Sequence, residues 1–211
     1  MLTCKNLTLE NSLFTIFQNL SFIAKTGSAT IISGPNGCGK TSLLKMIVGL
    51  IQNTHGKITW NSTDIAKDIY AFQQNVCYIG HKNALKKYST ALENLKFWAE
   101  FCGNIDLLDA SIKYFDLEKI LYTKVGLLSA GWQRKVELSK LLISDSSLWL
   151  LDEPETSLDK DGLTLLQNLV QSKTQNGGVI IIATHNDLGG IYGAQHINLE
   201  NFKNEITNCI N

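Results

Sequence analysis

Gly34-Pro35-Asn36-Gly37-Cys38-Gly39-Lys40-Thr41 is the stretch on which the reading of this 211-residue chain turns. It matches G-x-x-x-x-G-K-S/T, a loop whose backbone cradles the phosphates of a nucleotide. Ala29 to Ile32 before it read as a strand. Ser42, Leu43, Leu44, Met46, Ile47 and Leu50 after it carry helical apolar spacing. Strand, glycine loop and helix is the context the pattern requires. In that geometry successive N–H groups face the loop, and the helix start adds partial positive charge. Lys40 then reaches the β- and γ-phosphates, and the Thr41 hydroxyl is placed to ligate Mg²⁺. Gly34, Pro35, Asn36, Gly37, Cys38, Gly39, Lys40, Thr41 and Ser42 are the expected contacts to ATP. The plainer alternative, a glycine turn capping a helix, does not account for both flanks.

Size and charge narrow the rest. The length suits one domain with a sizeable core. Lys plus Arg equals Asp plus Glu at 19 each, so no overall field favours nucleic acid or an anionic membrane. Arg134 is the only arginine, which leaves an arginine-finger mechanism almost without candidates. Cys4, Cys38, Cys77, Cys102 and Cys209 are scattered, with no C-x-x-C pair, and fit a reducing compartment better than disulfides or zinc. Met1 to Thr30 lacks the pattern of a signal peptide. No run approaches the ~20 apolar residues that span a bilayer. The expectation is a soluble chain whose membrane part, if it has one, is another polypeptide.

Short strand-like runs fall at Leu2 to Leu9, Phe14 to Ile23 and Ser28 to Ser33, with turns at Asn11-Ser12 and Lys25-Thr26-Gly27. Asn53 to Gly56 reads as a turn, Lys57 to Asn61 as a strand, and Val76 to Ile79 as a third apolar run ending at Gly80-His81. Thr90 and Glu93 have capping-box spacing, and Leu92, Leu95, Trp98 and Cys102 follow at helical spacing. Leu107 to Leu128 reads as two further short helices. Residues from about 82 to 145 thus form an all-helical lobe inserted between strands. Leu148 to Leu151 and Val179 to Ala183 are continuous apolar runs, as in strands buried on both faces. Leu163 to Ser172 is helical, and His196 to Leu199 is a weak strand.

Further signals surround the loop. The strand Leu148 to Leu151 ends in Asp152-Glu153. Asp152 is placed to hold Mg²⁺, and Glu153 to orient or deprotonate the attacking water. Leu128-Ser129-Ala130-Gly131, then Trp132-Gln133-Arg134-Lys135, opens a helix through Val136, Leu138, Leu141 and Leu142. A hydroxyl and small residues at a helix start make a second anion site. Here the chain resembles the ATP-binding cassette (ABC) proteins, whose signature is Leu-Ser-Gly-Gly-Gln. The resemblance runs from Leu2 to about Leu199.

That resemblance implies an α/β fold of the P-loop NTPase, ABC ATPase type. It has a mixed sheet core flanked by helices, the inserted helical lobe, and a small N-terminal antiparallel β part, all in one domain over residues 1–211. It implies a head-to-tail dimer with two ATPs, each bound by one copy's Lys40 loop and the other copy's Ser129 and Gly131. Ala130 and Trp132 depart from the signature, and Gln133 is the neighbouring amide that can substitute. His185, after Thr184, resembles the family's switch histidine and would hold the water with Glu153 and sense the γ-phosphate. Ser157-Leu158-Asp159 resembles the loop that crosses the dimer interface. His81 stands where a glutamine that contacts the metal's water is usual. The adenine aromatic has no clear counterpart near Asn11 to Phe14, where Phe14 reads either as that aromatic or as an apolar strand residue.

Within the family, Tyr78-Ile79-Gly80-His81, Thr90-Ala91-Leu92-Glu93-Asn94-Leu95 and Leu128-Ser129-Ala130-Gly131 with Gln133-Arg134 resemble the ATP-binding subunits of haem exporters in cytochrome c maturation. This implies integral-membrane partners, a cytoplasmic location on the inner-membrane face, and docking at the helical lobe near His81 to Tyr88. Two alternatives stay open on the sequence alone: another small-substrate ABC transporter subunit, or a nucleotide-gated binding module with vestigial hydrolysis.

Overall fold

The computed structural model describes residues 1–10, 14–52, 54–186, 191 and 193–203. Strands β1 (Leu2–Glu10) and β2 (Thr15–Ala24) pair antiparallel. The expected turn at Asn11-Ser12 lies outside the described residues. Strand β3 (Ser28–Ser33) runs into the glycine loop, which opens helix α1 (Lys40–Ile47). The chain continues through β4 (His55–Trp60), β5 (Thr63–Asp64), α2 (Ile69–Gln73) and β6 (Val76–Ile79). Four helices follow before the next strand: α3 (Ala91–Cys102), α4 (Leu108–Tyr114), α5 (Ala130–Leu138) and α6 (Lys140–Ser144). Strand β7 (Leu148–Asp152), helix α7 (Lys160–Gln175), and strands β8 (Val179–Ala183) and β9 (Gln195–Asn198) complete the order.

The two strand directions divide between two sheets. Five strands in the order β6-β7-β8-β3-β9 are parallel throughout. Four in the order β2-β1-β4-β5 are antiparallel, so the antiparallel part recruits β4 and β5 as well as the N-terminal pair. The reason lies in the side chains. Every residue of β7 and β8 is buried, and alternate residues enter different cores. Leu148 and Leu150 pack with Val179, Ile181, α1 and the antiparallel sheet. Trp149 and Leu151 pack with Ile180, Ile182 and the helices α3 to α7. A strand flanked by two cores has no polar face, hence the unbroken apolar runs. Burying each such Leu or Ile contributes about 1.5–3 kcal/mol relative to exposure.

This alternation also places the chemistry. Asp152 follows Leu150 in parity and therefore emerges on the α1 side of the sheet, although it is itself only 1% exposed.

Several local expectations change. His55 and Gly56 belong to β4, not to a turn. Gly56 has φ 95° and lies opposite Asn6, at φ 50°, where the β1–β4 register shifts. Between Ile105 and Leu127 there is one α-helix, α4, with three 3₁₀ turns at Ile105–Leu107, Glu118–Ile120 and Val125–Leu127. The helix read through Leu142 breaks at Ser139, whose hydroxyl donates to Val136 O at 2.8 Å. The capping box at α3 forms as expected: Thr90 N donates to Glu93 Oε2 at 2.8 Å and Glu93 N to Thr90 Oγ1 at 3.2 Å.

A Cβ at Gly56 would sit 2.4 Å from the Asn6 carbonyl oxygen, and a positive φ already disfavours any L side chain. Gly56→Ala is expected to lower unfolding stability by more than about 1 kcal/mol, read as a lower urea midpoint. An unchanged midpoint would remove the strain from this crossing.

Candidate active site

Gly34 and Gly39, with φ 143° and 105°, give the loop after β3 its shape. A Cβ on Gly39 would lie 2.6 Å from Ile16 Cγ2, so only glycine lets β2 approach the helix start. Cys38 turns its side chain inward beneath Gly34, and its N–H donates to Pro35 O at 3.3 Å. The first intrahelical bond of α1 runs from Leu43 N to Gly39 O at 2.8 Å. The amides just before it have no helical acceptor and form the electropositive end of the helix. The Lys40 ammonium lies over the loop, donating to Gly34 O at 2.7 Å and Pro35 O at 3.1 Å. Asn36, Gly37, Gly39, Lys40, Thr41 and Ser42 line a cavity of about 250 Å³ together with Phe14, Ile16 and Glu153. Phe14, half exposed, therefore stands at the mouth of the loop.

Across the cavity floor, the Thr41 hydroxyl donates to Asp152 Oδ2 at 2.8 Å. Burial pushes the Asp152 carboxyl above its ordinary value, and the neighbouring Glu153 charge adds to this. The Thr41 hydrogen bond opposes it, as do His81 and Arg134. Thr41 and Asp152 also line a second cavity of about 460 Å³ with Lys45, Tyr78, Gly80, His81 and Lys82. A hydroxyl and a buried carboxylate are hard oxygen donors of the kind Mg²⁺ takes, one or two protein ligands completed by phosphate oxygens and water. The described residues contain no cluster of three or more His, Cys, Asp or Glu able to hold a metal by themselves. The donor set fits Mg²⁺ shared with a phosphate chain.

Glu153 leaves the strand with φ 48°, and its N–H donates to Ala183 O at 2.8 Å. His185 Nδ1 lies 2.9 Å from Glu153 Oε1, and His81 Nδ1 lies 3.2 Å from Oε2. An ionised carboxylate only accepts hydrogen bonds, so in the His185 pair the imidazole donates from Nδ1, while His81 stands at ion-pair distance from the other oxygen. Thr184, beside His185, donates its hydroxyl in a short bond to Glu155, whose Oε1 also accepts from Asn186 Nδ2 at 3.1 Å.

Ser129 caps α5, its hydroxyl accepting from Trp132 N at 3.4 Å. It lines neither of the two cavities around Thr41. Gly131 passes close to the loop after Glu153: a Cβ there would lie 2.9 Å from Ser157 O. Trp132 sits between two ammonium groups, Lys119 Nζ at 5.3 Å and Lys135 Nζ at 5.0 Å from its ring centroid. Gln133 is the amide expected to substitute in the signature, and its Nε2 is engaged within the chain. It donates to Val125 O at 3.1 Å and Leu128 O at 2.9 Å, tying α5 to the turn before it. Asp159 caps α7 through Gly162 N at 2.8 Å and pairs with Lys135 at 3.4 Å.

The residue the sequence reading left without a role is Arg134. Its guanidinium is almost fully buried and donates to Asp152 O at 3.0 Å, Glu153 O at 2.9 Å and Pro154 O at 3.1 Å. It also donates to Gly80 O at 3.0 Å and Asn83 Oδ1 at 3.3 Å. Burial pulls its pKa below the ordinary value, and the carboxylates of Glu137, Glu155, Asp152 and Glu153 oppose that shift. A finger reaching toward phosphate is excluded by these contacts. The signal was present in the spacing: Arg134 and Leu138 fall at i and i+4, on the buried face of α5.

Known proteins with this arrangement are numerous. A profile of the ABC transporter family matches residues 17–156. The Cytochrome c biogenesis ATP-binding export protein CcmA of Wolbachia pipientis wMel is 38% identical over 202 residues, 96% of this chain and 98% of its own. The protein of the same name from Rickettsia bellii is 43% identical over 175 residues, 82% of this chain and 86% of its own. Among solved structures, a putative ABC transporter ATP-binding protein from Pyrococcus furiosus superposes with a TM-score of 0.82 at 22% identity, covering 96% of this chain and 98% of that one. A dimeric ATP-binding cassette bound to ADP and Pi superposes at 0.81 and 21% identity, covering 94% and 95%. With that fold, and with Lys40, Thr41, Asp152 and Glu153 gathered around one loop, the chain belongs to the ABC transporter family, as an ATP-binding subunit that hydrolyses ATP.

Proposed function

We propose that this ATPase powers the haem exporter of c-type cytochrome biogenesis. It would act as a head-to-tail dimer on the cytoplasmic face of the inner membrane, bound to integral-membrane subunits. The place in cytochrome c biogenesis is supported by the name the relatives carry, over 96% and 82% of this chain. No helix among the described residues is long and apolar enough to cross a membrane, so the membrane work falls to partners. The helical face near the expected docking segment, His81 to Tyr88, carries exposed Tyr88, Phe97 and Phe101. Beside it is a cavity of about 550 Å³ lined by Trp98, Phe101, Lys140 and Glu137, among others.

One observation carries the catalytic reading: Lys40, Thr41 and Glu153 border one cavity, whereas Ser129 lies outside it. Half of an ATP site is built around the loop, and the signature helix of a second copy supplies the rest. Lys40 neutralises charge on the β- and γ-phosphates, and the amides at the start of α1 bind their oxygens. Thr41 and Asp152 would hold Mg²⁺, which when bound would withdraw charge from the β- and γ-phosphate oxygens. Glu153 orients the attacking water and accepts its proton, while His185 keeps that carboxylate turned toward the cavity. Phe14, at the cavity mouth, stacks on adenine. Ser129 and Gly131 meet the γ-phosphate bound by the partner copy.

Lys40→Ala is expected to lower ATP turnover at least about 100-fold, measured as phosphate release; an undiminished rate would discard the loop assignment. Glu153→Gln is expected to retain ATP and to double in mass by light scattering in saturating Mg-ATP. A monomer under those conditions, with the membrane partners present, would overturn the paired site. Detergent extracts of cells expressing the chain are expected to yield membrane proteins absorbing in the haem band. Stable copurification of a pigment-free transporter would reassign the cargo.

A further inference from the structure

His81 was expected to face a metal's water, as the residue that stands where the family usually has glutamine. It lines the cavity of Thr41 and Asp152, and its ring also approaches Glu153. Nδ1 lies 3.2 Å from Glu153 Oε2, while His185 Nδ1 takes the other oxygen at 2.9 Å. Each carboxylate oxygen thus has its own imidazole beside it, one in a hydrogen bond from His185 and one at ion-pair distance from His81. Rotation of the carboxylate about its terminal bond would break the His185 hydrogen bond and separate Oε2 from His81.

His81 itself is half exposed, so its position needs a cause outside the ring. The backbone supplies one. The residue before it, Gly80, gives its carbonyl to Arg134, and Asn83 gives its side-chain oxygen to the same guanidinium. That guanidinium also holds the carbonyls of Asp152, Glu153 and Pro154. Both ends of the His81–Glu153 contact therefore hang from one buried cation, 2% exposed. Five hydrogen bonds to a planar fork fix the two segments relative to each other far better than an exposed pair could.

We propose that His81 is a positioning residue for hydrolysis: a second imidazole that, opposite His185, holds Glu153 in the orientation needed to meet water, with Arg134 fixing the spacing between them. The proposal rests on the reading of Glu153 as the base. It differs from a metal role in what it changes. Loss of a group that aims the base lowers kcat and leaves binding alone. Loss of a group that holds the metal's water raises the Mg²⁺ concentration needed for turnover.

The test compares the full chain, assayed with its copurifying membrane partners, with His81→Ala and Glu153→Gln. Steady-state ATP turnover is measured across ATP and Mg²⁺ concentrations, with affinity for a fluorescent ATP analogue and the thermal midpoint read in parallel. His81→Ala is expected to lower kcat roughly 10- to 100-fold. KM, analogue affinity, Mg²⁺ half-saturation and thermal midpoint should each change by less than about twofold or a few degrees. In the Glu153→Gln background, adding His81→Ala should change the residual rate no further. An unchanged kcat in His81→Ala overturns the proposal. So does a rate restored by excess Mg²⁺, which would put His81 on the metal. Turnover that survives Glu153→Gln removes the base itself, a separate failure that takes the positioning role with it.

Discussion

The hydrogen bond from Thr41 to Asp152, 2.8 Å long, joins the two parts of the chain on which everything else depends. One end opens α1 directly after the glycine loop; the other closes β7. The bond requires Asp152 to emerge on the α1 side of the parallel sheet, and strand parity decides that. Leu148 and Leu150 pack on that side, Trp149 and Leu151 on the other. A one-residue slip of β7 would send the carboxylate into the opposite core. The two apolar layers that clamp β7 are therefore not only ballast for stability. They fix the register that puts a buried carboxylate beside the helix start.

From that junction the site spreads by backbone contacts more than by side-chain ones. Glu153 N–H is held by Ala183 O, and its carbonyl by Arg134. The adjacent strand β8 delivers Thr184 and His185 to the same end of the sheet, with Thr184 N donating to Ile32 O at 3.0 Å. Arg134 brings the start of α5 and the segment after β6 to this point. Ser129, at the head of α5, is thereby linked through Arg134 to the Glu153 backbone while lying outside the cavity of its own chain. Buried charge of this kind is stable only when every donor is matched, and the five acceptors around Arg134 meet that condition. The same logic covers Lys140, deep beside Trp98, which pairs with buried Glu137 at 3.0 Å.

The glycine loop, the two buried strands and the Thr90 capping box were legible because each is written in a few consecutive residues. Their cause is local: positive φ, unbroken apolar runs, and a side chain bonding three residues on. Helix α2 and strand β5 escaped because five and two residues carry no periodicity, although Asp68 caps the first through Ala71 N. Gly56 read as a turn because glycine breaks strands in general; here it permits two strands to cross. The stretch from Leu107 to Leu128 has the apolar content of helices, but its turns tighten into 3₁₀ pieces around buried Phe115 and Leu117. In the site, residue identities were readable and pairings were not. Arg134 meets Gly80 and Asn83 across 54 and 51 residues. The acceptors of Gln133, Val125 and Leu128, lie in a turn the sequence does not announce. His81 was assigned by position to a metal's water, and its approach to Glu153, 72 residues on, is a pairing that position alone does not reveal.

The central claim is that one molecule holds half of an ATP site at Thr41 and Asp152 and offers the other half, at Ser129, to a second copy. A crystal structure of the Glu153→Gln chain with Mg-ATP tests it most directly. The account predicts the metal between Thr41, Asp152 and the phosphates, with Ser129 of the opposite molecule at the γ-phosphate. Ser129 of the same molecule on that phosphate, or a metal remote from Asp152, would contradict it.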